Sequence, residues 1–325
     1  MNAVSQEQAL LQLGRWLQAS DYRFTTGTPA THARVNARPE ASQARSVRDV
    51  FGWSRPFEPG LLPESVLGWL RQGDLLKHEG AWLRSRVRFS SLGLQLFAHS
   101  SFPTRDADAV FFGPDTYRFA SLIESELQRQ SLTGGARILD IGCGAGPGGM
   151  VAALVSAAAA ELASAAASPL LVLADISVKA LLYARANAAL AQLDRVEFAL
   201  SDLYLGVAGQ FDLIVSNPPY LVDATARTYR DGGGPLGGGL SERIVVEGLP
   251  RLAPGGRLVL YTGAAIVDGA DPLFEALRPA LQRRGWRFSY RELDPDVFGE
   301  ELDLPAYQRA DRIAAVALVV ERPAQ

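Results

Sequence analysis

One stretch near the middle of the chain narrows its folding options most. A short apolar run at residues 136–140 (Ala-Arg-Ile-Leu-Asp) gives way at once to Ile141-Gly142-Cys143-Gly144-Ala145-Gly146-Pro147-Gly148-Gly149 and then to an Ala-rich segment. A brief apolar run bounded by glycine reads as a buried strand, and alanine is the strongest helix former, so the order is strand, tight loop, helix. Glycine is needed where the backbone must turn sharply and approach a ligand, because a Cβ would stand in the way. The helix that follows offers unpaired N–H groups at its start. A second apolar run, residues 170–174, ends in Asp175. A carboxylate at that place can take both hydroxyls of a ribose. Strands joined through helices need cover on both faces, which predicts an α/β doubly wound domain.

The rest of the second half keeps the alternation. Helices are expected at residues 115–130, 152–167, 178–193, 241–252 and 272–284, and further strands at 196–200, 211–215, 257–261, 287–292 and 313–320. With the two strands above this makes a seven-stranded, mostly parallel sheet, its first strand set off from the linking helix by Thr133-Gly134-Gly135. The first part reads differently. Leu10, Leu11, Leu13, Trp16 and Leu17 suit one face of a helix over 4–17, and Pro63 opens a helix over 63–71. Residues 20–48 show little periodicity and are expected as a mobile loop. Strands at 75–77 and 82–89 around Glu79-Gly80 complete a small α+β unit of winged-helix-like character. The division predicted is a cap or substrate-recognition domain over residues 1–110 and a catalytic domain over 111–325.

The tetrapeptide Asn217-Pro218-Pro219-Tyr220 follows the apolar run Phe211-Asp212-Leu213-Ile214-Val215-Ser216. The Asn217 side-chain oxygen and the Pro218 carbonyl are two acceptors that can grip the two hydrogens of a planar amine or amide. The prolines stiffen this pair, and the Tyr220 ring offers a flat face to a π system. Taken alone, Asn-Pro-Pro is equally an ordinary turn. Gly144, Gly146 and Gly149 match the dinucleotide pattern G-x-G-x-x-G, but Asp140 just ahead of them would repel a pyrophosphate and would suit an ammonium group. S-adenosylmethionine carries such an ammonium.

With these residues the chain resembles the class I S-adenosylmethionine-dependent methyltransferases, whose fold is Rossmann-like. Asp140 to Gly146 is similar to their first motif, Asp175 to the acidic end of their second strand, Ser201-Asp202-Leu203 to the segment facing the adenine, and Asn217 to Tyr220 to the motif of the branch that methylates planar nitrogens. Within that branch it looks like the release-factor glutamine methyltransferases. Phe112-Gly113-Pro114-Asp115-Thr116 resembles their Pro-Arg-x-x-Thr-Glu segment, with Tyr117 standing where they have Glu, and the Gly-rich stretch 229–240 follows the tetrapeptide as theirs does. Bacterial proteins with Arg-Asp-Gly-Gly after the motif, as in Arg230-Asp231-Gly232-Gly233, are as similar. The resemblance implies a cofactor site of Asp140, Gly142, Gly144, Gly146, Asp175, Ile176, Asp202, Leu203, Asn217 and Thr116. It implies an acceptor site of Asn217, Pro218, Pro219, Tyr220, Tyr117 and Arg230, with Asn217, Pro218 and Tyr220 acting in catalysis.

The single cysteine, Cys143, excludes internal disulfides and, lying in a cofactor loop, is read as a small filler and not as a nucleophile. His32, His78 and His99 show no metal spacing, so no metal is expected. No apolar run reaches membrane-spanning length and the N-terminus lacks the pattern of a signal peptide, so a cytoplasmic protein is expected. A net charge of −3 argues against a large nucleic-acid footprint, although residues 1–110 carry thirteen Lys or Arg against ten Asp or Glu. An RNA partner is therefore the less favoured form of the methyl acceptor, beside a protein or a small molecule. Two further readings stay open: internal displacement within S-adenosylmethionine releasing methylthioadenosine, and a binding module that kept the fold without catalysis.

Overall fold

The computed structural model describes residues 3–104, 106–162, 167–223, 227, 229–282 and 285–324. The chain runs through α1 (Ala3–Ala19), α2 (Pro29–Asn36), α3 (Val47–Phe51), α4 (Glu64–Gln72), β1 (Leu76–Glu79), β2 (Trp82–Ser85), β3 (Val87–Leu92), β4 (Gln95–Ser100) and α5 (Pro114–Arg129). It continues through β5 (Arg137–Ile141), α6 (Pro147–Leu162), β6 (Leu170–Asp175), α7 (Val178–Leu190), β7 (Val196–Leu200), β8 (Phe211–Ser216), α8 (Gly239–Gly248), β9 (Leu252–Val267), α9 (Pro272–Leu281), β10 (Arg287–Asp294) and β11 (Ala310–Glu321). Two compact units result. One comprises Met1–Arg118, Gly144–Pro147 and Val178–Asp194; the other comprises Phe119–Cys143, Gly148–Ser177 and Arg195–Gln325.

In the first unit α1 turns Leu10, Leu13 and Leu17 into a core shared with Val66, Leu67 and Leu70 of α4 and with Tyr183, Ala186 and Leu190 of α7. Asn187 of α7 is buried there, its amide accepting the Ala98 N–H (2.8 Å) and donating to the carbonyls of Ala98 (3.0 Å) and Ala145 (2.9 Å). The mobile loop expected over 20–48 is corrected: it holds α2 and the start of α3. Thr28 caps α2, accepting the Thr31 N–H with Pro29 in the first turn, and Ser46 caps α3, accepting the Asp49 N–H. Cap residues, not periodicity, start these short helices. The expected strand 82–89 is likewise two strands. β1 pairs with β2, and β3 pairs with β4 in a second hairpin whose return strand the sequence reading omitted.

In the second unit seven strands lie in the order β10-β11-β9-β8-β5-β6-β7. β5 pairs in parallel with β6 and β8, β6 with β7, and β8 with β9, while β11 runs antiparallel to β9 and β10. This is the doubly wound, seven-stranded, mostly parallel sheet expected. Strand order reverses between β5 and β8, and ligands of such sheets sit at that switch point, outside the carboxyl ends of the strands. Leu139, Ile141, Ile214, Leu258, Leu260, Val316 and Leu318 fill the core. Buried Arg257 donates to the Glu126 (3.0 Å) and Gln130 (2.6 Å) carbonyls at the end of α5, where a helix leaves acceptors unpaired.

Several boundaries differ from expectation. β9 extends over sixteen residues, where five were foreseen, because its antiparallel pairing with β11 runs from Arg257 to Val267 and Leu252 at its start pairs with Phe211 of β8. α8 stops at Gly248 and passes into a 3-10 turn at Leu249–Arg251, where Pro250 lacks the N–H that a further turn requires. The helix expected over 152–167 is present to Leu162, residues 163–166 lying outside the described residues; that expected over 272–284 is present to Leu281, and 283–284 lie outside as well. Among the described residues no helix is long and apolar enough to cross a membrane.

Candidate active site

Register brings the sequence motifs of the second unit to one edge. Ile141 of β5 pairs with Ala174 of β6 and with Ser216 of β8, so the next residues, Gly142, Asp175 and Asn217, lie side by side at the carboxyl ends of three adjacent strands. Neighbouring strands are about 4.8 Å apart, a spacing within the reach of one small molecule. Gly142 has φ +67° and donates its N–H to the Ala174 carbonyl (2.9 Å); a Cβ there would point into open space, and so would one on Gly144, which belongs to the first unit. Gly146, also of that unit, has φ +86°. The loop thus leaves room at its surface where side chains would otherwise stand.

Beneath the loop, Asp140 is 1% exposed and its Oδ2 accepts the Gly149 N–H (2.7 Å) at the start of α6. A Cβ on Gly149 would meet the Asp140 Cβ at 2.9 Å and Leu171 at 2.8 Å, so only glycine lets the helix start this close to the strands. Burial, helped by the charge of Asp175, pushes the Asp140 carboxyl up to about 7 against the pull of the Gly149 bond. The same burial and the same two carboxylates hold the Cys143 thiol well above its ordinary range, which keeps it protonated and unsuited to attack as a thiolate. The Asp175 carboxylate, with Asp140 partly ionised near neutral pH, makes the field there negative. It disfavours a pyrophosphate and suits a cationic ligand.

Asp175 accepts the Ser177 N–H on Oδ1 (2.8 Å). Beside it, Ile176 is 62% exposed and Leu200, its register neighbour's side chain on β7, is 59% exposed. Apolar side chains bared at the strand ends fit one face of a flat ring. Asp202 is half exposed and 3.8 Å from Arg243, while Leu203 is buried with φ +48°, a backbone stabilised by Ser201, whose Oγ donates to the Leu203 carbonyl (2.7 Å) and accepts the Gly206 N–H (2.8 Å).

The Asn217 side chain is half-buried, and among the described residues it makes no hydrogen bond. Pro218 and Tyr220 are buried and Pro219 is half-buried. The Tyr220 ring lies on Gly263 of β9, where a Cβ would collide with it, and Phe298 meets it edge-on at 5.8 Å. The Gly-rich stretch grips the same turn from outside. Gly232 donates to the Leu221 carbonyl (2.8 Å), Leu221 donates to that of Arg230 (3.2 Å), and Cβ atoms on Gly232 or Gly237 would strike the Pro219–Leu221 backbone. Arg230 pairs with buried Glu301, and the Val222 N–H donates to the Tyr307 hydroxyl (2.9 Å). Sequence reasoning missed this connection between β10 and β11, which supplies Phe298, Glu301 and Tyr307; its only local sign is the Phe-Gly-Glu-Glu and Pro-Ala-Tyr turns.

The remaining candidates, Thr116 and Tyr117, belong to the first unit. Thr116 is buried and accepts the Gly113 N–H (3.3 Å) at the start of α5. The Tyr117 hydroxyl accepts the Thr26 N–H (3.0 Å), its pKa raised by burial.

Comparison with known proteins finds similarity over the segment that carries these motifs. Residues 118–266 match the family described as Methyltransferase small domain. A release factor glutamine methyltransferase of Deinococcus radiodurans is 35% identical over 208 residues, covering 61% of this chain and 66% of that protein. A ribosomal RNA small subunit methyltransferase C of Pasteurella multocida is 33% identical over 128 residues, 39% of this chain and 33% of that one. The structure of a SAM-dependent methyltransferase from Agrobacterium tumefaciens is 18% identical, with a TM-score of 0.46 over 82% of this chain and 80% of that one. The chain spans less than two thirds of the length of the curated relatives it matches. The likeness the motifs suggested thus extends over the middle of the chain: residues 118–266 are similar to the methyltransferase small domain.

Proposed function

We propose that the chain is an S-adenosylmethionine-dependent N-methyltransferase whose acceptor is a planar amide or amine nitrogen. The observation that carries this reading is the placement of Asp175, Gly142 and Asn217 on three adjacent strand ends at the switch point, with the Asn217 amide unengaged among the described residues. The residues present fit the cofactor. The Cβ-free surface of the glycine turn admits its backbone, the Asp140 and Asp175 carboxylates suit its cationic groups and ribose, and Ile176 with Leu200 suits its adenine. Asp202 and the Leu203 N–H take the adenine edge; Gly144, Gly146 and Thr116, which belong to the first unit, are assigned to the cofactor on their sequence positions alone. When bound, S-adenosylmethionine supplies a methyl group already activated by the sulfonium charge.

The chain's own work is then alignment. The Asn217 Oδ1 and the Pro218 carbonyl accept the two N–H bonds of the acceptor, hold its nitrogen in line, and stabilise the positive charge that develops on it. Pro219 stiffens the turn and the Tyr220 ring walls one side. Positioning of this kind is worth about 7–11 kcal/mol. Arg230, tied to Glu301, serves the acceptor through the turn it holds; Tyr117 and residues 1–110, expected as a cap or substrate-recognition domain, are assigned to recognition.

A glutaminyl side chain in a protein is the favoured acceptor, since it presents a flat NH2 group and relatives carry that activity in their names. A nucleobase is the second, favoured by the ribosomal RNA methyltransferases among the relatives. The test is product identification by mass spectrometry after incubation with S-adenosylmethionine alone, with a glutamine-containing release-factor protein, and with ribosomal RNA. S-adenosylhomocysteine formed only when an acceptor is present supports the reading. Methylthioadenosine from the cofactor alone overturns it.

A further inference from the structure

Arg88 is out of place in the first unit. Strand β3 carries it inward to 3% exposure, yet among the described residues no Asp or Glu pairs with it. Its Nη2 donates to the Thr26 hydroxyl (3.0 Å), which is bonded to Ser90 Oγ (2.5 Å), itself bonded to His99 Nε2 (2.7 Å). Its Nε is buried with no partner. The Phe24 ring lies 5.7 Å from the guanidinium, but the same ring already serves Arg48 at 5.4 Å. Burial lowers the Arg88 pKa to about 10, which leaves it charged at neutral pH.

Its His and Tyr neighbours are neutral. Burial and the charge of Arg88 hold His32 down to about 4 and His99 well below its ordinary value, and the Tyr22 hydroxyl, pushed up by burial, donates to the Phe89 carbonyl (3.0 Å). The His32 Nδ1 is a second buried atom without a partner. His32, His99 and Tyr22 therefore offer Arg88 no anion, and Arg48 on the same Phe24 ring adds a second positive charge, whereas buried charges are ordinarily paired.

We propose that Arg88 is the anchor of a ligand site in this unit that accepts an oxyanion, a carboxylate or a phosphate group, with the unpartnered Nε donating to one of its oxygens. The planar edge of a guanidinium matches two oxygens of either group, and a charge-assisted bond is the natural partner for a donor held away from water. This site is independent of the methyl-transfer reading.

The test uses the full chain at constant ionic strength, with sodium chloride as the baseline salt. Thermal unfolding is followed while chloride is replaced by inorganic phosphate in one arm and by succinate in the other. A saturable rise in Tm, about 5 °C at a hundredfold excess over Kd, is expected in one arm, and that arm identifies the anion. Arg88→Met should lose the shift, and Arg88→Lys, which keeps the charge without the fork, should weaken binding about tenfold. If Arg88→Met does not fold, the 15N–1H resonance of the Arg88 Nε in the unaltered chain is the readout and should move on titration. No saturable shift in either arm, an equal shift in Arg88→Met, or an unmoved resonance overturns the site and leaves Arg88 as a structural donor to Thr26.

Discussion

Gly237 lies against the peptide carbonyl of Tyr220, its φ at +81°, so close that a Cβ would fall on the oxygen and come within 2.9 Å of the Leu221 carbonyl carbon. Both obstacles are backbone and cannot swing aside. The glycines after the Asn-Pro-Pro-Tyr turn are therefore the outer half of its clamp.

Gly237→Ala should accordingly cost about 2 kcal/mol or more, the left-handed conformation alone accounting for about 1–2 kcal/mol. Urea unfolding measures the loss. Turnover of the folded fraction should fall as well, because the Asn217 amide rides on the turn that is displaced.

Asn217→Ala addresses the proposed chemistry without disturbing the fold, since among the described residues this side chain has no hydrogen bond to lose. Turnover should drop about 100-fold to 1,000-fold, the usual effect of removing one preorganised hydrogen-bonding group from a reacting centre. Calorimetric binding of S-adenosylmethionine should stay within about tenfold of the original, because one hydrogen bond to a cofactor is worth about 0.5–1.5 kcal/mol net. A variant that turns over normally would remove Asn217 from the mechanism.

The buried Asp140 carboxyl gives stability a pH dependence of definite sign. Its folded pKa, about 7, lies above the unfolded value near 3.9, so between those limits the folded chain holds a proton that the unfolded chain has released. Its contribution is complete below about pH 4 and is lost as pH rises to about 7, at up to about 1.4 kcal/mol per pH unit. His32, depressed to about 4, acts oppositely, losing stability as pH falls from 6.5. The difference between the unaltered chain and Asp140→Asn, followed by urea unfolding from pH 4 to 8, isolates the acid. A flat difference would refute the raised pKa.

Asn187→Leu should destabilise the chain by about 3 kcal/mol. It strips partners from the N–H and carbonyl of Ala98 and from the carbonyl of Ala145, and a buried group left unsatisfied costs about 1–3 kcal/mol. Chemical unfolding of the variant checks it.

What the sequence revealed divides along physical lines. Strands buried on both faces, such as Leu170–Asp175 and Phe211–Ser216, announce themselves as apolar runs, and the glycine turn between Asp140 and Gly149 has few alternatives. From these, sheet order and the strand-end meeting of Gly142, Asp175 and Asn217 follow by rule. Helices α2 and α3 escaped because they are short and are started by Thr28 and Ser46 instead of by an apolar face. β4 escaped because its partner β3 was absorbed into the preceding run. Leu200 looked like an ordinary strand residue, and nothing local marks Glu301 or Tyr307 as partners of residues 71 and 85 positions away. Ion pairs and hydroxyl contacts across such separations leave no periodic trace.

The connection between β10 and β11 reaches the Asn-Pro-Pro-Tyr turn through Phe298, Glu301 and Tyr307, while the glycine turn is assembled from the far end of the same domain sequence. Under the proposed chemistry, the segment that shapes acceptor choice and the segment that docks the methyl donor are thus encoded separately. Exchange of the one by drift or by grafting need not disturb the other, so a single donor-binding frame can be inherited intact while its clientele diversifies.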